Sequence, residues 1–449
     1  MRDRDRPFLF RCLSCIVIVA LLGGCHSLFG SDSDHDKYKV AGKRIPVLES
    51  AKQLEADKGV ADTKIEIPEA VQNSDYPQSG GNAEHTYANL ALAAIPKKIW
   101  RVDVGDGSNG DFKLLARPVV SDGRIFTMDA RGDVSAFSTA QGDKIWDFDT
   151  TPEDRDVKAM GGGLGVDSGV LYVTTGFGEV LALKTKEGSV IWRTMVGKPL
   201  RAPPTIEGGR VFVVTIDNEL DALSTANGEI LWHHNGIAES ATLMGASSPA
   251  VSGDGVVVTY SSGEVFNLRV QNGRVAWTDV LATPAQVGAL PAIADIRGNP
   301  VVDHGVVYAV SHSGRMAAID MRTGDREWDA DIGGTNTPVV AENAVFVLSN
   351  DNELIALTRQ SGRIIWIREL QKLKDPNDHD SDRVFWYGPI LAGGKLWLTN
   401  SLGHMVAYSA TDGNERVDEE FDRPFFMPPI VAGGVIYALS DDGKLTALK

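Results

Sequence analysis

Residues 178–192 read Gly-Glu-Val-Leu-Ala-Leu-Lys-Thr-Lys-Glu-Gly-Ser-Val-Ile-Trp, and this stretch decides the fold. Its first half alternates as a half-buried strand does. Thr185–Gly188 has the composition of a tight turn, and Val190–Trp192 is β-branched and aromatic, as strands are. The stretch therefore predicts a β-hairpin.

The same hairpin recurs along the chain as Gly-x-x-x-Trp, with a turn-forming Gly or Asn ten residues before each Gly. The six complete copies are Gly142/Trp146, Gly188/Trp192, Gly228/Trp232, Gly273/Trp277, Gly324/Trp328 and Gly362/Trp366. A seventh copy, Gly403 to Gly413, has Val417 in place of Trp. A further strand precedes each hairpin, and Pro-x-Val or Pro-x-Ile precedes most of these strands. One repeat is thus a four-stranded antiparallel meander of roughly 40–50 residues, which is typical of a β-propeller blade.

An eighth copy begins at Gly443 and reaches Lys449 without its Trp strand, whereas an unpaired Trp strand surrounds Trp100 near the other end of the repeats. If the Trp100 strand completes the last blade, the ring closes and leaves no open sheet edge. We therefore predict an all-β, eight-bladed propeller of four-stranded antiparallel blades. The alternative is an open β-solenoid, which would need capping repeats at both ends.

The N-terminal region has the composition of a targeting segment followed by a tether. Four arginines precede an apolar run, Cys12–Leu22, that ends in Leu22-Gly23-Gly24-Cys25. We expect a lipoprotein signal peptide over residues 1–24, a lipidated N-terminus on Cys25 with a flexible tether to residue 81, and the propeller over residues 82–449. The alternative is an ordinary secretory signal with a chance cysteine.

Charge and motif content limit the functional classes. The net charge of −16 argues against nucleic acid as a partner. Walker, HExxH and GxSxG motifs are absent, and the sequence predicts no catalytic residue, cofactor site or metal site. Residues 375–382 resemble a calcium loop but lack its Gly and terminal Glu, so a solvated loop is expected. Gly161–Gly165 lacks GxGxxG spacing and is expected to be a loop between blades.

Apolar residues cluster in four segments that each precede the first strand of a blade: 242–249, 289–300, 385–387 and 425–427. Because these segments occupy equivalent places in the repeat, several should emerge at the same end of the ring. Exposed apolar groups gathered there would form a partner surface. For the last two segments the alternative remains open that they plug the central channel.

The repeat, as in Ala182 to Trp192, resembles the pyrroloquinoline-quinone-type propeller repeat. The whole plan, with the signal ending at Cys25, the polar tether and eight blades closed by an N-terminal strand, resembles the BamB family of outer-membrane assembly lipoproteins. That resemblance implies a non-catalytic scaffold, lipid-anchored at the periplasmic face of the outer membrane. Its implied partners are the periplasmic POTRA domains of the barrel insertase BamA, other lipoproteins of the assembly complex, and nascent outer-membrane proteins.

The resemblance also implies which residues contact the partner. Family members carry a Leu-Arg-Gly-Glu-Ser-Ala-Pro-like stretch, and residues 243–249 match it in frame with Met244 in place of Arg. They also carry Asp-x-Asp before a proline, where this chain has Asp295-Ile296-Arg297. The implied partner-binding residues are therefore Leu243, Met244, Asp295 and Arg297.

Two other functions remain open at this point. One is a quinone-dependent dehydrogenase, which would need a cofactor and calcium in the channel and often has adjacent cysteines. The only cysteines are Cys12, Cys15 and Cys25, all at the N-terminus. The other is a propeller that binds a ligand or polysaccharide.

Overall fold

The structure is a computed structural model that describes residues 54–87, 89–240, 242–282 and 294–449. The expected signal peptide, Cys25 and residues 289–293 of the 289–300 segment lie outside these residues. The chain divides into two units, Met1–Leu54 and Glu55–Lys449. Only the second is considered below.

Within the described residues the chain forms 32 strands, arranged as eight four-stranded antiparallel sheets. Blade 1 comprises β2 Val119–Ser121, β3 Arg124–Met128, β4 Val134–Ser138 and β5 Lys144–Phe148, and blade 2 comprises β6 Gly162–Asp167, β7 Val170–Thr175, β8 Glu179–Lys184 and β9 Val190–Met195. Blade 3 comprises β10 Thr205–Glu207, β11 Arg210–Val214, β12 Glu219–Ser224 and β13 Ile230–Asn235. Blade 4 comprises β14 Ala250–Ser252, β15 Gly255–Thr259, β16 Glu264–Arg269 and β17 Val275–Val280.

Blades 5 to 8 follow the same order. Blade 5 comprises β18 Val301–Asp303, β19 Val306–Val310, β20 Met316–Asp320 and β21 Arg326–Ala330, and blade 6 comprises β22 Val339–Val340, β23 Ala344–Leu348, β24 Glu353–Thr358 and β25 Ile364–Glu369. Blade 7 comprises β26 Trp386–Ala392, β27 Lys395–Asn400, β28 His404–Ser409 and β29 Glu415–Glu420. Blade 8 comprises β30 Ile430–Ala432, β31 Val435–Ser440 and β32 Lys444–Leu448, and its fourth strand is β1 Lys98–Asp103 from the other end of the repeats.

The pairing of β1 with β32 closes the ring. Trp100 lies opposite Ala447 and Asp103 opposite Lys444 in an antiparallel register. Lys97 and Lys449 exchange two backbone hydrogen bonds of 2.8 Å, which extends the ladder to the chain end. The predicted eight-bladed propeller is therefore confirmed, and so is its closure by the Trp100 strand.

Apolar side chains between neighbouring sheets form the core, and the repeated tryptophans join one blade to the next. Six of them donate an indole N–H hydrogen bond of 2.8–3.1 Å to a carbonyl of the following blade: Trp100, Trp146, Trp192, Trp232, Trp277 and Trp328. Their rings also lie against the turn glycine of that blade, as Trp192 does against Gly228. The tryptophans thus pack between blades.

The one repeat without Trp has a structural reason. Val417 in β29 faces blade 8, where the corner between the third and fourth strands is formed by the two separate segments at Lys97 and Lys449. That corner has no turn glycine on which an indole could lie. Val417 packs in a smaller apolar cluster that includes Ala407 and Leu448.

Part of the segment expected to be a flexible tether belongs to the folded unit. Residues 73–91, here called the strap, cross the end of the ring where the first and second strands of each blade meet. Strap backbone or side-chain groups bond to residues of seven blades, at positions 120, 166, 206, 251, 302, 391 and 431. Tyr76 is only 2% exposed and pairs with Val120. Upstream of the strap, Asp57 makes a bidentate ion pair with Arg363 at 2.7–2.8 Å. Residues 55–81 are therefore held to the ring, in contrast to the expected tether.

The loop expected over Gly161–Gly165 is instead largely strand β6, Gly162–Asp167. Side chains are excluded there because first strands crowd together near the ring axis. A Cβ at Gly163 would lie 2.7 Å from Pro203, and one at Gly165 would lie 2.4 Å from Ile206. The glycines thus reflect close strand packing rather than a turn.

Candidate functional site

The connections between blades meet in a cavity of about 590 Å³ at one end of the ring, here called the mouth. The strands position its lining, because every fourth-to-first connection and every second-to-third turn emerges at this end. Connections supply Leu243, Met244, Arg297 and residues 383–387, and turns supply His312 and residues 349–352. The apolar segments around residues 243, 386 and 426 therefore share one face, as the repeat predicts.

A buried carboxylate fixes the Leu243 loop in place. Asp295 is 4% exposed, and its Oδ2 accepts a 2.7 Å hydrogen bond from the backbone N–H of Leu243, 52 residues earlier. Burial raises the pKa of Asp295, while the Leu243 bond and the nearby Arg297 act in the opposite direction. The structure thus brings together two of the implied partner-binding residues, and it gives Asp295 a positioning role beneath the surface.

Met244 and Arg297 flank that link. Met244 is 45% exposed at the mouth, whereas Leu243 is half-buried. The Arg297 side chain lies beside Gly245, where an added Cβ would be 3.2 Å from Nε. Within the implied contact set, Met244 therefore offers the most apolar surface, and Arg297 adds positive charge beside it.

The two aromatic segments, 385–387 and 425–427, contribute both to the exposed face at the mouth and to the channel. Phe385 is exposed at the mouth, whereas Trp386 and Phe425 are buried in the walls. Tyr387 and Phe426 form an edge-to-face pair with centroids 6.0 Å apart, and both also line the channel below the mouth. Phe385 thus extends the exposed face, whereas Tyr387 and Phe426 narrow the channel.

Below the mouth lies a smaller cavity of about 60 Å³ on the ring axis, here called the axial pocket. Its lining comes from the strap and from segments that lead into seven of the eight blades. It includes Arg117, Arg201 and Arg297, together with Ser79 and Asn299. No sequence pattern points to Arg117 or Arg201, because residues that lie in different repeats and meet only across the ring share no local pattern.

The outer rim carries a second apolar surface that the repeat pattern did not reveal. Exposed large apolar side chains lie on the fourth strands of five consecutive blades, 8 and 1 to 4: Ile99, Ile145, Val190, Ile191, Met195, Ile230, Leu231, Val275 and Val280. In blade 7 the corresponding strand, Glu415–Glu420, is mostly charged, and in blade 6 the isoleucines of β25 are at least partly buried. The rim is therefore asymmetric in its chemistry.

Two features are absent from the described residues, a membrane-spanning helix and a metal-binding cluster. Across residues 54–87, 89–240, 242–282 and 294–449, no helix has the length and apolar content needed to cross a bilayer. Over the same ranges, no group of three or more His, Cys, Asp or Glu side chains is arranged to hold a metal ion. The 375–382 loop is described and largely exposed, as expected for a solvated loop.

Fold and site together define a closed eight-bladed propeller with one strapped end and one apolar, loop-built mouth. A family model described as "Outer membrane protein assembly factor BamB" matches residues 130–368 and 377–449. The chain belongs to this BamB family, in agreement with its repeat and its ring closure.

Individual relatives agree with this assignment. The BamB of Salmonella typhimurium is 31% identical over 322 residues, which cover 71% of this chain and 79% of the relative. The Escherichia coli K12 protein is 30% identical with the same coverage, and that of Xanthomonas campestris is 34% identical over 60% of this chain and 67% of its own length.

Solved structures support the fold. The crystal structure of BamB from Moraxella catarrhalis matches with a TM-score of 0.68 and 21% identity, over 79% of this chain and all of that one. A quinohemoprotein alcohol dehydrogenase from Comamonas testosteroni matches with a TM-score of 0.63 and 14% identity, over 84% of this chain and 81% of that one. At these identities the likeness concerns architecture alone.

Proposed function

We propose that this protein is a non-catalytic scaffold for outer-membrane protein assembly, held to the periplasmic face of the outer membrane by lipid on Cys25. In this proposal the mouth docks on the POTRA domains of a BamA-type insertase and helps nascent outer-membrane proteins to insert. Membership of the BamB family supports the role, since the relatives are named as assembly factors.

The observation that carries the docking site is the bond between Leu243 and Asp295. A loop that presents an apolar side chain binds best when its conformation is already ordered, because ordering on binding costs affinity. The buried Asp295 carboxylate supplies that order from the neighbouring connection. Met244 and Phe385 then form the exposed apolar part of the face, and Arg297 contributes a cation next to it.

The experiment compares two methionines of similar exposure. Met244 at the mouth is 45% exposed and Met195 on the rim is 53% exposed. We expect Met244→Asp to weaken capture of the POTRA region of the same organism's BamA by roughly tenfold or more, because a charge would be desolvated at the contact. Met195→Asp introduces the same charge away from the mouth and should bind as the unmodified protein does.

Asp295→Ala tests the positioning role separately. Without its acceptor the Leu243 N–H loses its bond, so the loop should exchange amide hydrogen faster while the far blades keep their protection. Capture of POTRA should weaken in parallel. Equal capture by both methionine variants and by Asp295→Ala would reject the mouth as the docking face.

A further inference from the structure

The axial pocket has an unusual charge. Three guanidinium groups line it, those of Arg117, Arg201 and Arg297, and its lining contains no Asp or Glu. None of the three forms an ion pair or hydrogen bond with another residue in the described part of the chain. The protein as a whole carries a net charge of −16. This cluster is therefore a positive centre inside an acidic molecule.

The side chains of the three arginines are half-buried. Burial lowers the pKa of Arg117, Tyr76 opposes that shift, and the charge of Arg297 adds to it. Like charges at such range repel more strongly away from bulk water, where the effective dielectric constant is low. A charge that is partly withdrawn from water without a partner carries a desolvation cost, and a bound counter-ion would reduce that cost.

The walls that hold these arginines are fixed in place. Asn299 donates a 3.0 Å hydrogen bond to Ser79 of the strap and accepts one of 2.9 Å from the N–H of Ser248. Asn336, on another side, accepts a hydrogen bond from the N–H of Gly388. The pocket is thus built from ordered polar groups rather than from mobile surface side chains.

The pocket is closed at one end and accessible from the other. Beneath it, Tyr76, Gly80 and His85 of the strap line the next cavity together with Arg117, and they cover that end of the channel. Above it, Arg297, Tyr387 and Phe426 line both the axial pocket and the mouth. The mouth therefore gives a solute access to the axial pocket.

We propose that the axial pocket is a binding site for a small oxyanion with two or more negative charges, of phosphate size. A volume of about 60 Å³ holds about four waters, which is also the room a phosphate-sized ion needs. The planar fork of donors on each guanidinium matches the oxygens of phosphate and carboxylate groups alike. Anion binding here does not require a docked partner, so it is separate from the function proposed above.

The test uses the full chain, purified in a nonionic detergent at constant ionic strength. Isothermal titration is carried out with inorganic phosphate in one arm and with malonate in the other, because these distinguish phosphate from dicarboxylate chemistry. We expect saturable one-to-one binding in at least one arm. A rise in the thermal unfolding midpoint with the same ligand checks the result, since a ligand that binds only the folded state stabilises it.

Three variants locate the site. Arg117→Gln and Arg201→Gln each remove one guanidinium and should weaken binding by roughly 10- to 100-fold, the range expected for loss of charge-assisted hydrogen bonds. Arg274→Gln removes the same charge from an exposed position and should bind like the unmodified protein. If one of the two pocket variants fails to fold, the other still tests whether the anion binds in the axial pocket.

Two results would overturn the proposal. One is the absence of saturable binding of both phosphate and malonate by the unmodified protein up to about 10 mM, a range in which a weak built site would already respond. The other is binding that survives unchanged in both pocket variants, which would place the anion elsewhere.

Discussion

Replacement of Gly228 by alanine tests the packing that joins the blades. Gly228 lies in the turn before β13 with φ of +72°, and a Cβ there would come within 2.5 Å of both Trp192 Cε3 and Thr194 Oγ1. The left-handed backbone costs an L-residue about 1–2 kcal/mol. The forced shift of the indole adds about 1–3 kcal/mol, the usual cost of overpacking. We therefore expect Gly228→Ala to lower the free energy of unfolding by about 2–5 kcal/mol.

Gly253→Ala is the matched control, because Gly253 has φ of +58° in a comparable turn but no atom lies within 4 Å of the added Cβ. It should cost only the backbone term of about 1–2 kcal/mol. Urea denaturation followed by tryptophan fluorescence gives both values, and the slope with urea shows whether the unfolded surface has changed. Equal losses of stability in the two variants would refute the idea that the Trp–Gly contact between blades stabilises the ring.

Two further predictions concern the strap and pH. Tyr76→Ala should lower the free energy of unfolding by about 3–5 kcal/mol and expose residues 55–91 to protease, because a buried aromatic ring is lost. Tyr76→Phe keeps the ring and should resist cleavage like the unmodified protein. Cleavage of Tyr76→Ala at the rate of the unmodified protein would contradict the strap's role. Burial and the charge of Glu219 raise the pKa of Asp221 to about 6, with His233 opposing them. The folded state then holds this proton more tightly than the unfolded state, so its contribution is full below about pH 4 and is lost as pH rises through 6. Between pH 5 and 8 the protein should lose about 1.4 kcal/mol that Asp221→Asn retains. Parallel urea midpoints for the two proteins would count against this assignment.

The repeat itself could be predicted in detail from the sequence. Gly-x-x-x-Trp is a local pattern with a fixed place in each blade, so copies of it count the blades directly. The hairpin at Gly443 that lacks its Trp strand, and the Trp strand at Trp100 that lacks its hairpin, indicated the closure that β1 and β32 confirm. The positions of the apolar loops followed too, because equivalent places in a repeat emerge at one end.

The strap and the glycine-rich strand β6 could not be predicted in this way. The strap carries no periodic pattern, because it does not form a strand of its own. Individual backbone hydrogen bonds join it instead to the first strands of several blades. Gly162–Asp167 has the composition of a loop, yet it is a strand because the neighbouring Pro203 and Ile206 leave no room for side chains.

By itself, the sequence determined the blade count, the ring closure and the face at which the loops gather, because each follows from the repeated local pattern and from its incomplete copies at Trp100 and Gly443. Only the tertiary structure decided which side chains meet across the ring. Asp295 beneath Leu243, and Arg117 with Arg201 and Arg297 on the axis, are brought together by the circular arrangement of blades. Such contacts join residues tens to hundreds of positions apart, and no local periodicity records them.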